Sequence, residues 1–176
     1  MGVRTMTQEN KLDYWVNKVS FKIVNEKIIS KNQIDKMLGI LVQDGVYAWW
    51  IYTKKELGGK SDEDKNLLET PNLIKLLNQF CDFVGIPQKD KISSICQLQN
   101  EIEKFQNKIR EESDDNNKKR IRSQIKQKKE EQNKLMNEFF EELSQDIYSL
   151  LFFREILEKI LIYARYHAKA MEDNNE

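Results

Sequence analysis

The chain has 176 residues, a length that one domain with a single core can accommodate. Its 29 basic and 29 acidic side chains cancel, so net charge does not attract it to RNA, DNA or a membrane, and any nucleic-acid contact must come from a local patch. Apolar residues make up 39% and charged residues 33%, against typical values of about 45 to 50% and about 25%, which indicates a modest core and a large surface.

The N-terminal third is predicted to form three helices. Apolar residues recur mostly at three- and four-residue steps over 12–28, which predicts a first helix with one apolar side. A second helix is predicted over 32–42 and is interrupted at 43–45, where Asp44 is a candidate N-cap for the next helix. The third helix, over 46–57, is aromatic on more than one side, so we expect it to be buried against several neighbours.

The middle of the chain is predicted to contain a charged helical hairpin. Residues 58–62, Gly-Gly-Lys-Ser-Asp, have the composition of a loop, and Thr70-Pro71 opens a fourth helix that ends before Gly85. Beyond residue 92 a narrow apolar seam runs through polar residues, and 114–117 has the composition of a turn. We therefore expect a projecting antiparallel hairpin over 97–138, held by a thin coiled-coil-like seam.

The last helix is predicted from about Glu141 to Met171 and is apolar over much of its circumference. Such a helix is either central to a bundle or covered by another protein chain. With only two prolines and six glycines, and no long alternating pattern, helix is favoured almost everywhere. The sequence predicts an all-α protein: a single helical domain over 1–176, built as a bundle of about five to seven helices with the charged hairpin within it.

Cysteine spacing and hydropathy indicate the compartment. Cys81 and Cys96 form no CxxC pair, so a disulfide framework and a zinc knuckle are both poorly supported, and we expect reduced thiols. Residues 1–10 are polar and lack the apolar run of a secretory signal. No run of about 18 apolar residues occurs, which argues against a membrane span. We expect a cytoplasmic protein.

No motif for catalysis, metal binding or a cofactor is visible. The one histidine, His167, has no second His or Cys at a metal-ligand spacing. The patterns GxSxG, GxxxxGK[ST] and GxGxxG are missing, and the acidic residues fall mostly on polar helix faces. We expect no enzyme activity, no metal and no cofactor. A hydrolase with an unfamiliar site, using His167 or a carboxylate, is a remote alternative.

Basic residues are the candidates for contact with a phosphate backbone. Lys54, Lys55 and Lys60 follow the aromatic third helix. Arg154 falls within the apolar stripe of the last helix, and it needs a carboxylate partner, an exposed position or a bound anion. A run without any acid is either a solvated helix face or an RNA contact. Its members are Lys118, Lys119, Arg120, Arg122, Lys126, Lys128 and Lys129.

Two segments resemble the small all-helical subunit of the Cmr complex, the type III-B CRISPR RNA-guided effector. Residues 37–55, MLGILVQDGVYAWWIYTKK, resemble a segment of that family in which a helix ends at a polar residue followed by glycine. In the family a second helix, which contains aromatic residues, follows and ends at Ser/Thr-Lys. Residues 148–170, YSLLFFREILEKILIYARYHAKA, resemble the family's C-terminal helix with its Ala-x-Ala ending. The chain departs from the family in having Gly45-Val46-Tyr47 where Gly-Leu-Gly is usual, and in its long hairpin.

The resemblance implies a non-catalytic subunit of an antiviral complex. Such a subunit stacks with copies of itself beside the other subunits of the complex, near the duplex of guide RNA and target RNA, and its basic side lines the channel for the target. Carried over by position, Lys54, Lys55 and Arg165 would contact RNA. The chemistry of their side chains adds Lys60, Arg154 and Lys169. The alternative is a helical protein-protein interaction module that touches no nucleic acid.

Overall fold

The computed structural model describes residues 8–57, 72–80 and 85–173. Seven α-helices and no strand lie in these ranges, so the prediction of an all-α helical bundle is confirmed. The predicted loop at 58–62, Thr70-Pro71 and Cys81 lie outside the described residues. The helices are α1 Gln8–Asn25, α2 Lys31–Gln43, α3 Gly45–Leu57, α4 Asn72–Phe80, α5 Lys89–Glu111, α6 Asp115–Gln145 and α7 Ile147–Asp173.

The contacts between residues divide the chain into two compact units. The first unit contains α1, α2, α3 up to Thr53 and α7 from Leu151 onward. The second unit runs from Lys54 to Leu150 and contains α4, α5 and α6. The expectation of a single domain over 1–176 stays a prediction.

Side-chain and backbone caps fix both ends of α2. At its start the Ser30 hydroxyl accepts the backbone N–H of Gln33, and the Gln33 side chain accepts the backbone N–H of Ser30, which is a capping box. At its end the Asp44 backbone N–H donates to the Ile40 carbonyl at 2.8 Å. Asp44 is therefore the C-cap of α2, and it also directly precedes α3, as the N-cap predicted from the sequence would. Gly45 follows with φ +85°, a backbone conformation that favours glycine.

Large aromatic side chains fill the core of the first unit. Trp49 and Phe153 are buried and meet edge to face, with ring centroids 6.5 Å apart. The buried Ser20 hydroxyl lies 3.0 Å from the Ile160 carbonyl oxygen, which ties α1 to α7. The expectation that α3 is buried on several sides is wrong in part, because Tyr47 and Ile51 are 67% and 51% exposed.

The second unit is built on an antiparallel hairpin of α5 and α6. On α5 its buried apolar side chains recur at steps of three, four and seven residues, as the sequence predicts, whereas on α6 eleven residues separate Ile125 from Met136. They are Ile92, Ile95, Leu98, Ile102 and Ile109 on α5, and Ile125, Met136, Phe139, Phe140 and Leu143 on α6. Three buried glutamines, which the apolar pattern did not predict, lie among them: Gln99, Gln106 and Gln132.

The ends of α6 differ from the sequence prediction. The turn before α6 covers residues 112–114 and not 114–117 as predicted. The Asp114 carboxylate accepts the backbone N–H groups of Asn116 and Asn117, so Asp114 is the N-cap and α6 begins at Asp115. At the other end α6 continues to Gln145, so Leu143 belongs to α6 and not to the last helix. Asp146 is the single residue between α6 and α7, and Ile147, the first residue of α7, is 58% exposed.

Candidate nucleic-acid interface

Three of the predicted site residues lie along one side of α7. Arg154, Arg165 and Lys169 are 11 and 4 residues apart, spacings that return to nearly the same side of a helix with 3.6 residues per turn. The partners of Arg154 and Arg165 belong to α2, which runs antiparallel to α7. We call this arrangement the α2/α7 row.

Arg154 contacts the end of α2. Its Nη2 lies 3.4 Å from the Val42 carbonyl oxygen, in the last turn of α2, where helix carbonyls lack partners within the helix. Its buried Nε has no hydrogen-bond partner. No carboxylate pairs with Arg154 among the described residues, so the internal salt bridge considered from the sequence is not formed in this part of the chain. The guanidinium retains donors for an anion.

Arg165 and Lys169 differ in their surroundings. The Arg165 Nε lies 3.0 Å from a carboxylate oxygen of Asp35, and both side chains are partly exposed. The Lys169 ammonium is exposed and makes no ion pair with any described residue. One turn before Asp35 on α2, Lys31 pairs with Glu172. The row thus joins four cations with the carboxylates of Asp35 and Glu172. Glu158, four residues after Arg154, adds a third carboxylate on the same side of α7, so the row keeps one net positive charge. The sequence did not single out Lys31 or Asp35, because their partners, Glu172 and Arg165, lie on another helix.

The other three predicted site residues belong to a different part of the chain. Lys54 and Lys55 lie in the last turn of α3, within the second unit. Lys54 is half-buried and its ammonium donates to the Asn137 side-chain carbonyl of α6, whereas Lys55 is exposed and makes no contact of this kind with any described residue. Lys60 lies outside the described residues. Within the second unit, Lys55 is therefore the more available of the two cations for a ligand.

Ion pairs join the two arms of the hairpin along one edge. The Lys91 ammonium lies 2.9 Å from a Glu142 carboxylate oxygen and 3.3 Å from one of Glu138, and hydrogen bonding to Glu142 is the main cause of its raised pKa. Nearer the turn, Lys128 pairs with Glu101 and lowers the pKa of that carboxyl. These lysines hold the hairpin together, so they are poor candidates for a ligand contact.

The rest of the basic run on α6 falls into two groups. Burial lowers the pKa of Lys129, whose side chain is half-buried. Lys119, Arg120, Arg122 and Lys126 are exposed and Lys118 is half-exposed, and none of these five forms an ion pair within the described ranges. The sequence did not distinguish the two groups, because the separation depends on which side of α6 faces α5.

His167 has a packing role in the first unit. Its Nε2 lies 2.9 Å from the side-chain oxygen of Asn17, and its ring meets Phe21 edge to face with centroids 5.5 Å apart. Across 8–57, 72–80 and 85–173 no group of three His, Cys, Asp or Glu side chains is placed to hold a metal ion. The described contacts of His167 are an amide and a phenyl ring, which give it no partner for acid-base chemistry in this part of the chain.

Exposed apolar side chains are unevenly distributed. The exposed large apolar residues of the described chain are Tyr14, Phe21, Val42, Tyr47, Ile51, Ile147, Tyr148, Leu151, Tyr163 and Tyr166. They lie on α1, α2, α3 and α7, and none lies on α5 or α6. Scattered exposed apolar residues are ordinary, but this number on a few helices is typical of surfaces that another protein covers.

Comparison with protein-family models, with curated proteins and with solved structures finds no match for this chain. The resemblance to the Cmr small subunit therefore rests on the two segments quoted above. None of the described helices has the length and apolar character needed to cross a membrane.

Proposed function

We propose that this protein is a non-catalytic small subunit of a type III CRISPR effector complex. In this role it stacks with copies of itself in the cytoplasm, adjoins the other subunits and contacts the backbone of the target RNA. The observation that carries the proposal is the α2/α7 row, in which Arg154 and Lys169 have no carboxylate partner among the described residues. The row lies on the helix whose sequence carries one of the two resemblances.

Phosphate contact by such a row requires no net positive charge on the chain. A single copy would bind RNA weakly, because it offers few cations and exposed ion pairs contribute only about 0.2–1 kcal/mol each. Several copies aligned along one strand add their contacts, since each binding event after the first is intramolecular. The proposal therefore couples RNA binding to self-association.

Exposed apolar residues on α1, α3 and α7 support contact with other protein chains. Tyr47 and Ile51 are one turn apart on α3, and both are more than half exposed. The same residues favour the second candidate, a protein-protein interaction module without RNA contact. The two candidates differ in their response to salt, because release of counterions from phosphates makes RNA binding strongly salt-dependent.

The test begins with the tagged full chain purified from its own cells. The expected result is co-purification of short RNAs, a large polymerase-like subunit and RNA-binding backbone proteins. Recovery with protein partners alone, in a form insensitive to ribonuclease, would support the interaction module and overturn the proposal.

A charge reversal in the purified complex then tests the row. Lys169→Glu is expected to weaken target-RNA binding about fivefold or more, since the change repeats in every copy, and to flatten the salt dependence. Lys36→Glu is the matched control. Lys36 is exposed on α2 but follows Asp35 by one residue, and so points about 100° away from the row. Equal effects from both variants would show that the row is not the RNA contact.

A further inference from the structure

The proposed function leaves the basic run on α6 unexplained. Between Asn116 and Lys129 the helix contains seven basic side chains and no acidic one. The run is bounded by Asp114 and Asp115, at the start of the helix, and by Glu130 and Glu131 directly after Lys129. An uninterrupted cationic stretch on a formed helix gives each side chain a defined direction, so the members can be sorted by the side on which they lie.

Four of these cations share one side of α6. Lys118, Arg122 and Lys126 follow one another at four-residue steps, which places them in successive turns. Lys119 lies seven residues before Lys126 and extends the same side. With a rise of 1.5 Å per residue, the row from residue 118 to residue 126 is about 12 Å long, with about 6 Å between neighbours. We call Lys118, Lys119, Arg122 and Lys126 the α6 stripe.

The side chains of the α6 stripe are available to a ligand. Lys119, Arg122 and Lys126 are exposed, Lys118 is half-exposed, and none forms an ion pair within the part of the chain that the structure describes. Their neighbours show that availability is not general on this helix. Lys128 is held by Glu101, and Lys129 is half-buried.

The surroundings of the stripe favour a polyanion over a folded protein partner. Ile121 and Ile125 lie between the cations in sequence, but both turn inward to the hairpin cluster with Ile102, Phe105 and Ile109. No large apolar side chain of α5 or α6 is exposed among the described residues. Large apolar or aromatic anchors are usual at the centre of a stable protein interface, and none is exposed on α5 or α6 among the described residues. A nucleic-acid strand needs only regularly placed cations.

We propose that the α6 stripe is a second contact surface for the phosphodiester backbone of a single-stranded nucleic acid, distinct from the α2/α7 row. The stripe binds successive phosphates through Lys118, Arg122 and Lys126, and it carries no base specificity because its donors are cations alone. The identification of that strand as RNA rests on the proposed function; the phosphate contact does not.

The matched pair for the test is Arg122→Glu and Arg120→Glu. Both arginines are exposed, both lie in the same run, and the change in charge is identical. They are two residues apart, so they point about 200° apart around α6, and only Arg122 lies in the stripe. Binding of a labelled 30-nucleotide single-stranded RNA to the full-length purified chain is measured by fluorescence anisotropy across a salt series, with circular dichroism to verify helix content.

Arg122→Glu is expected to weaken binding about three- to tenfold, and Arg120→Glu less than twofold. The triple change Lys118→Glu, Arg122→Glu and Lys126→Glu should reduce affinity about thirtyfold or more. It should also lower the slope of log affinity against log salt by about 0.7 for each phosphate that the protein no longer neutralises. Single-stranded DNA of the same sequence should bind equally well, because the backbone phosphates are shared.

Three outcomes would overturn the inference. They are equal losses in the Arg122 and Arg120 variants, no measurable binding by the unchanged chain, and displacement of the RNA by polyglutamate of matched charge at the same concentration as by unlabelled RNA. The Lys169→Glu variant is measured alongside. Normal behaviour of the stripe variants with a loss at Lys169 disproves the stripe alone. The α2/α7 row is judged in the purified complex, where the Lys169→Glu change repeats in every copy, so the two failures are distinguishable.

Discussion

The first unit and the α5–α6 hairpin bury their helices with different side chains. In the first unit the core contains large rings such as Trp49 and Phe153, and the surface exposes tyrosines and other large apolar residues. Toward its turn the hairpin core narrows to a seam of isoleucines, whereas Phe139 and Phe140 are buried at the end away from the turn; buried glutamines lie along the seam, and the surface is almost entirely charged or polar. The two regions thus differ both inside and outside.

This difference indicates a division of roles. A broad aromatic core gives a firm scaffold, and exposed apolar residues on it suit contact with other protein chains. The seam between two helices buries less apolar surface than the core of the first unit. Its buried polar pairs therefore contribute more to fixing how α5 and α6 pair. Its charged exterior suits a ligand that is held by charge alone. Three predictions test the comparison, from the largest effect to the smallest.

The largest effect is expected from truncating the aromatic core of the first unit. Phe153→Ala should destabilise the protein by about 3–5 kcal/mol, because it removes a fully buried ring that contacts Trp49. The matched change in the hairpin, Phe105→Ala, should cost clearly less, because Phe105 is only partly buried at the edge of its cluster. Urea unfolding followed by circular dichroism measures both. Equal losses would remove the distinction between the two cores.

A smaller effect is expected from the buried glutamine pair of the hairpin. The Gln132 side-chain amide donates to the Ile95 carbonyl at 3.1 Å and lies 3.3 Å from the Gln99 side-chain oxygen. Gln132→Ala should cost about 1–3 kcal/mol, since it leaves buried acceptors without that donor. The exposed Gln127→Ala on the same helix should change stability by less than about 0.5 kcal/mol.

Hydrogen exchange locates the effect of the Gln132 change. Faster exchange should be confined to α5 and α6, because the hydrogen bonds that the change removes join only these helices. Uniform acceleration across α1 and α7 as well would show that the hairpin and the first unit unfold together.

The smallest effect concerns pH at the junction of α6 and α7. The Asp146 carboxylate accepts a hydrogen bond from the Ser149 hydroxyl, then from the backbone N–H groups of Tyr148 and Ser149, and these bonds lower its pKa. Because the pKa of Asp146 is lower in the folded state than in the unfolded state, its carboxylate stabilises the fold at pH values above the unfolded-state pKa. This stabilisation is lost as the pH falls through the folded-state pKa. Asp146→Asn should therefore reduce the loss of stability between pH 7 and pH 3.

Ser149→Ala is the companion to the Asp146 change. It removes the first cause of the lowered pKa and leaves the carboxylate in place, so the Asp146 pKa should rise toward its ordinary value. Carboxyl chemical shifts measured by NMR across the titration read this directly. An unchanged Asp146 titration in Ser149→Ala would disprove the assigned cause.

Helices were predictable from the sequence where apolar periodicity and composition agreed. The range predicted for α2 is one residue short at both ends, and the range predicted for α3 begins one residue late and ends at the observed residue. The boundary between α6 and α7 was placed too early, because no glycine or proline marks Asp146 and an aspartate is equally common on a helix surface. The buried glutamines escaped prediction because only their partners across the hairpin distinguish them from exposed ones.

The sequence predicted which basic residues could belong to the candidate site, but it did not predict which partners surround each of them. Lys169 and Lys55 are exposed, as a phosphate contact requires. Arg165 and Lys54 instead have partners from other helices, Asp35 and Asn137. Sequence spacing reports neighbours along one helix and carries no information on which helix lies beside it, so such pairs were beyond it.

Because α5 and α6 are joined by a short turn at residues 112–114, the length of the hairpin can change without a change in the sequence of the first unit. The two antiparallel helices pair along their length, so seven residues inserted into each helix at the same level would extend the apolar seam by one repeat. The turn would then lie about 10 Å farther along the hairpin. The cations just after the turn would move with it, and the sequence of the first unit would stay unchanged. Related chains can thus vary how far this arm reaches by insertion or deletion in one region, without redesigning the rest of the molecule.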